Sequence, residues 1–239
     1  MPTILAIDTS ATPVSCAIVR DARILASFFS HSGLTHSQTL MPMVKSAMSI
    51  AGIDANALDA IAVSVGPGSF TGVRIGVSAV KGLAFANNIP CVAVSTLESM
   101  ADGLRGIPFE GVVCCVMDAR CHQVYTARFA QHANGTQQRL SPDEAISIDT
   151  LKQELKHLNK SVIFVGDGSE MCYNLLKDAI PDLHLAPLSV RYQSATGVAL
   201  VAEAMYRRGE TVPSDKLLPS YLRLPQAERE LKERQLNQK

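Results

Sequence analysis

Apolar and polar positions alternate along this chain with two different periods. Short runs rich in β-branched residues read as buried strands, and runs with apolar residues three and four apart read as helices with one buried face. Strands are predicted at Thr3–Asp8, at 15–19 and at 23–29, the last two separated by a polar break at 20–22. Residues 37–51 then place Leu40, Val44, Ala47 and Ala51 on one face of a helix, which Pro42 either opens or kinks. An apolar strand at 60–65 leads through Gly66-Pro67-Gly68-Ser69 into a helix carried by Val73, Val77 and Val80, and Cys91–Ser95 is a further strand. The order is βββαβα.

A weaker copy follows. Gly111–Asp118 is again an apolar strand ending in Asp, 122–129 alternates as a second strand, and Asn134-Gly135 is a hairpin signal with 136–140 returning. Residues 148–158 are helix-like, 161–165 read as a strand, and Gly166-Asp167-Gly168-Ser169 opens another helix. The strand-ending Asp8 pairs with Asp118, and the turn at Gly66 pairs with that at Gly166, in the same order. Two βββαβα lobes are therefore expected: an α/β chain with an N-terminal lobe at 1–106, a C-terminal lobe at 107–225 closed by a helix at 195–208, and a polar tail at 226–239.

The glycine turn AIAVSVGPGSFTGVRIG carries the most information. Ser69 is a good N-cap, because its hydroxyl can satisfy a free backbone N–H. No Lys follows Gly72, so the P-loop pattern fails, and Thr71 stands where a dinucleotide fingerprint needs its third glycine. Gly68, Gly72 and Gly76 recur at every fourth position. A glycine inside a helix costs about 1 kcal/mol relative to alanine, so a backbone must approach this stripe closely. Spacing alone favours packing within the chain over a docking face for a second chain.

Composition narrows the setting. The chain has 239 residues, 47% of them hydrophobic, enough for a substantial core. Lys+Arg and Asp+Glu are both 22, a balance that argues against strong non-specific affinity for nucleic acid or membrane. The six cysteines show no metal-ligand spacing, and neighbours Cys114 and Cys115 point to opposite faces of a strand, so reduced buried thiols are expected. MPTILAIDTS has no basic leading region and meets Asp8 early, unlike a signal peptide, and no apolar run reaches about 20 residues. A cytoplasmic protein without a membrane span is the expectation.

The combination of AIDTS, HSQTLMPMV, GPGSFTGVRIG, GLAFANNIP, VSTLESMA, MDAR and PSYLR resembles the bacterial TsaB (YeaZ) family. The likeness covers most of the chain and is tightest in residues 1–100, with GPGSFTGVRIG its most specific element. Lobes of this order also describe, by fold analogy alone, the ribonuclease-H-like fold of actin, sugar kinases and heat-shock ATPases. The resemblance implies a partner subunit in the formation of N6-threonylcarbamoyladenosine at position 37 of tRNAs reading A-starting codons. Such a subunit binds the catalytic subunit TsaD and, with it, the ATPase TsaE. ATP and a metal ion belong to those partners, tRNA is met only through the complex, and this chain is expected to carry no cofactor, metal or active site of its own.

The resemblance also revises the glycine stripe. In that family the first two helices of the N-terminal lobe form a four-helix contact with the partner, or with a second copy in a homodimer. Carried over, Leu40, Met41, Val44, Met48, Phe70, Gly72, Val73, Gly76 and Val77 are the expected interface, with the methionines supplying an adaptable surface. TsaD binds its metal through His-Met-Glu-Gly-His, whereas this chain has Thr96-Leu97-Glu98-Ser99-Met100, without either histidine. A rival reading is an ATP-binding, kinase-like enzyme using Asp8 and Asp118 as magnesium or phosphate ligands; Arg120, in a turn after Asp118, is a candidate contact for a nucleotide, a partner or Asp8, with a structural ion pair the alternative. Strand-ending Asp residues more often cap turns. A metalloprotease is disfavoured, because no His-Glu-x-x-His exists and His31, His36, His122 and His132 are scattered. Arg74 is a candidate rim contact, and Tyr221-Leu222-Arg223 after Pro219 is expected to pin the C-terminus to the body.

Overall fold

The structure, a computed structural model, describes residues 2–223. The polar tail expected at 226–239 lies outside the described residues. Two mixed sheets are built on one plan. In the first, β1 (Thr3–Asp8), β2 (Val14–Arg20), β3 (Arg23–Ser30), β4 (Ala60–Gly66) and β5 (Cys91–Ser95) lie in the order β3-β2-β1-β4-β5. β1, β2 and β3 pair antiparallel, while β1–β4 and β4–β5 are parallel. The second sheet repeats this with β6 (Gly111–Asp118), β7 (Gln123–Gln131), β8 (Gln137–Arg139), β9 (Glu144–Ser147), β10 (Val162–Val165) and β11 (Leu183–Leu185), in the order β11-β10-β6-β7-β8. The return strand expected at 136–140 is β8, and β9, which was not expected from the sequence, also pairs with β7.

The central strands are apolar on both faces because helices cover both. α1 (His36–Ala51) and α2 (Phe70–Phe85) bury Leu40, Val44, Ala47, Val73, Val77 and Val80 on one face of the first sheet. α3 (Thr96–Asp102) packs Leu97, Met100 and Ala101 on the second sheet, whose other face takes α4 (Ile148–Lys156) and α5 (Ser169–Leu176). Cys114 and Cys115 do face opposite sides of β6, and the six thiols are free.

α6 (Ala195–Arg207) is placed differently from expectation. It follows the second lobe in sequence, yet Ala195, Val198, Ala199 and Ala202 pack on β1, β2, β4 and β5 of the first sheet. An apolar stripe says that a helix is covered, not which sheet covers it. The helix that follows β5 covers the second sheet, and the helix that follows β11 covers the first. The two cross where a Cβ on Gly197 would collide with the Ser99 carbonyl. After α6 the chain returns along the first lobe, bridging Val212 to Cys91 and burying Leu217.

Candidate functional site

The ends of β1 and β6 face one another across a cleft of about 540 Å³ between the lobes. Its walls include Ser10, His36, Ser69 and Phe70 from the first lobe, Asp118, Arg120 and Asp167 from the second, and the C-terminal segment at 220–223. The glycine turn shapes the first wall. Ser69 caps α2 by accepting from Gly72 N at 3.2 Å, and Ser69 N donates to Ser10 O at 2.7 Å. That approach requires glycine at 68, where a Cβ would run into the Ser10 carbonyl.

Asp8 and Asp118, which sequence treats as a pair, are not equivalent. Asp8 is 1% exposed, and its two oxygens accept from Ser10 N at 2.8 Å, Ser10 Oγ at 2.6 Å and Ser64 Oγ at 2.7 Å. Burial pushes its carboxyl above the usual carboxylate range, against the pull of those donors and of His36. It stands behind the cleft wall, committed to bracing β1 against β4. Asp118 does line the cleft; it accepts from Arg120 N at 2.8 Å and pairs with the Arg120 guanidinium at 3.4 Å. Arg120 is thus an ion-pair partner on the cleft rim.

Asp167 is the residue that sequence reasoning passed over. It lines the cleft between Gly166 and Gly168 at the start of α5 and accepts from Gln193 Nε2 at 2.7 Å. Burial lifts its pKa from 3.8 to about 6, opposed by the Gln193 bond and reinforced by the Asp118 and Asp8 charges. The signal available in sequence was an acid flanked by two glycines directly after an apolar strand. Among the described residues no group of three or more His, Cys, Asp or Glu could hold a metal ion.

The same plan recurs in known proteins. Residues 30–231 match the model of the family described as TsaD, tRNA N6-adenosine threonylcarbamoyltransferase. A Bacillus subtilis protein named tRNA threonylcarbamoyladenosine biosynthesis protein TsaB is 32% identical over 95% of this chain and 96% of its own length. The solved YeaZ from Pseudomonas aeruginosa superposes with a TM-score of 0.75 at 28% identity, covering 93% of this chain and all of that one. The chain belongs to the TsaB family. A ROK hexokinase from Thermus thermophilus, 12% identical, aligns with a TM-score of 0.50 over 86% of this chain and 99% of its own, which places the TsaB-family chain in the sugar-kinase and actin-like fold.

Within this TsaB-family chain, the interface residues carried over from the resemblance divide by burial. Leu40, Val44, Gly72, Val73, Gly76 and Val77 are buried within the chain's own first lobe. Gly72 and Gly76 exist to seat Thr9. Its hydroxyl donates to Gly72 O at 2.7 Å, and a Cβ on either glycine would strike Thr9, its carbonyl at Gly72 and its hydroxyl at Gly76. Packing within the chain, which spacing alone favoured, is the observed reason for the stripe. Of the remaining residues, Met41 is exposed, while Met48 and Phe70 are half-buried.

Outside their buried stripes the two helices carry other apolar residues. Met41 and Ile50 project from α1 and Phe85 from α2, with Ile50 70% and Phe85 77% exposed. Gly82 faces open space, unlike Gly72 and Gly76. Thr96-Leu97-Glu98-Ser99-Met100 forms the start of α3, capped by Ser95 and buried except at Glu98, which pairs with Arg139. His36 lies 3.2 Å from Thr12 O and His31 stacks edge-on against Tyr192, both structural placements. Arg74 lies over the Phe70 ring at 3.7 Å and donates to Tyr221. No described helix is long and apolar enough to cross a membrane.

Proposed function

We propose that this chain is a partner subunit of the machinery that makes N6-threonylcarbamoyladenosine in tRNA, acting by contact and not by chemistry of its own. It binds the catalytic subunit TsaD and, with it, the ATPase TsaE, and meets tRNA only through that assembly. The observation that carries the reading is the state of Asp8. A metal or phosphate ligand needs lone pairs facing the cleft, and Asp8 lies behind the wall with three hydrogen bonds already accepted from Ser10 and Ser64. Asp118 faces the cleft already paired with Arg120. Family membership supplies the pathway, through the name of the Bacillus subtilis relative. The exposed surface of α1 and α2, which carries Met41 on one flank of α1, Ile50 on the other and Phe85 on α2, is the proposed docking face in place of the buried residues above. The same face serves a homodimer when TsaD is absent, so the two assemblies compete.

The test is threonylcarbamoyl transfer to tRNA with TsaD, TsaE, the adenylate synthase, ATP, threonine and bicarbonate, with and without this chain. Transfer that depends on the chain, and none from the chain alone, supports the reading; full transfer without it overturns it. A second reading, nucleotide binding in the cleft, is favoured by one feature: Asp118 and Asp167 line a cavity of about 540 Å³. Calorimetric titration of the isolated chain with ATP and magnesium separates the two.

A further inference from the structure

We propose that residues 220–223 are a latch across the cleft mouth, fastening the first lobe's glycine turn to the tip of the second lobe's first hairpin and setting how far the lobes part. The segment starts from a firm root, since Leu217 is fully buried in the first-lobe core. Ser220 N then donates to Val65 O at 2.8 Å. Gly66, at φ +122°, leaves the room that Ser220 needs, because a Cβ there would collide with the Ser220 carbonyl. Tyr221 stacks on Phe70 with ring centroids 4.8 Å apart, and its hydroxyl accepts from Arg74 Nε at 2.7 Å. Arg74 in turn lies over the Phe70 ring, so the two aromatics and the guanidinium form one cluster.

The chain next crosses to the other lobe. The Arg223 guanidinium donates to Ala119 O at 2.8 Å. Ala119 opens the β6–β7 turn, where Arg120, Cys121 and His122 stand at φ +63°, +52° and +57°. Three successive non-glycine residues in the left-handed region hold only if their surroundings fix them. The Ala119 N–H to Gln123 O bond and the Ile148 N–H to His122 O bond fix the turn from its own lobe, and Arg223 fixes it from the other. The lobes also meet where α3 crosses α6, at Ser99 and Gly197. That crossing is packed backbone to backbone and suits a pivot. The latch is a handful of exposed polar and ring contacts, so it can release without unfolding either lobe. This inference concerns how the two lobes move and stands apart from the identity of the partner.

Cys121 provides the reporter, because it is exposed at the hairpin tip and the other five thiols are buried. In the full chain carrying Lys45→Cys on α1, spin labels at 45 and 121 report the distance between lobes by pulsed dipolar spectroscopy. With the latch intact, one narrow distribution is expected. Arg223→Ala and Tyr221→Ala, each made in that background, are expected to add a longer, broader population. Glu210→Ala, which breaks an exposed ion pair with Arg208 away from the latch, is expected to leave the distribution unchanged. An unchanged distribution in both latch variants, or equal broadening in the Glu210 variant, would overturn the proposal.

Discussion

The residue after the strand-ending Asp is Thr9 in the first lobe and Ala119 in the second. Thr9 reaches into α2, where glycine stands three and seven positions after Ser69. Ala119 reaches nothing comparable, and the helix residues at the same offsets from Ser169 are Cys172 and Leu176, both buried. Volume has been exchanged between strand end and helix while the plan of the unit is kept. The acids part in the same way. Asp8 braces its own lobe out of solvent, and Asp118 stays in the cleft with an arginine. A duplicated fold therefore does not carry duplicated chemistry, and the first lobe's strand end serves structure.

Gly72→Ala breaks this comparison most severely. Its Cβ would strike the Thr9 carbonyl, a backbone atom that cannot swing away. A loss of about 3 kcal/mol is expected in denaturant unfolding, at the upper end of overpacking costs. An ordinary helical glycine would instead gain about 0.5–1 kcal/mol from the same change. Gly76→Ala is expected to be milder and partly rescued by Thr9→Ala, because there the struck atom is the Thr9 hydroxyl. No such rescue is expected at Gly72.

The acids sharpen it next. Asp8→Ala leaves three buried donors without their acceptor and is expected to cost about 2–3 kcal/mol. Asp118→Ala loses one turn cap and an exposed ion pair, and is expected to cost about 1 kcal/mol or less. Equal losses would dissolve the distinction between the lobes.

Asp167 adds a pH signature to the second lobe. Its folded pKa, about 6, lies above the unfolded value of 3.8, so the folded state holds its proton more tightly. That contribution to stability is complete below about pH 4 and is lost as pH rises to about 6. Asp167→Asn keeps an acceptor for Gln193 and removes the loss. Against the parent chain it is expected to gain about 2 kcal/mol between pH 4 and pH 7, read from paired unfolding curves. A difference that does not vary with pH would contradict the placement of Asp167. The smallest effect belongs to Gly82→Ala, which meets open space and is expected to stabilise by about 0.5–1 kcal/mol.

Much of the fold was legible because period and burial agree. β1, β4 and β6 are unbroken apolar runs, and α1 and α2 bury the residues that helical spacing selects. β11 was missed because a strand of three residues is too short for a period to register. α3 was missed because its stripe is hidden among small and polar residues that are nearly all buried. The covering of the first sheet by α6 depends on chain path, which periodicity does not encode. At the site, Asp118 and Arg120 were found by their place after a strand. Asp8 was found too, but its bonds to Ser10 and Ser64 depend on β1 and β4 lying side by side. Six of the carried-over interface residues are buried because apolar spacing marks the face a helix buries, and exposed apolar residues such as Met41 and Ile50 fall on either side of it.

The most direct test sets the two regions against each other in one threonylcarbamoyl-transfer assay containing TsaD, TsaE, the synthase and tRNA. One sample carries Met41→Glu with Ile50→Glu, the exposed apolar residues on the two flanks of α1, and the other carries Asp118→Asn in the cleft. A chain that works by contact predicts transfer lost with the first and retained with the second. Transfer retained with the first and lost with the second would contradict it and return the chemistry to the cleft.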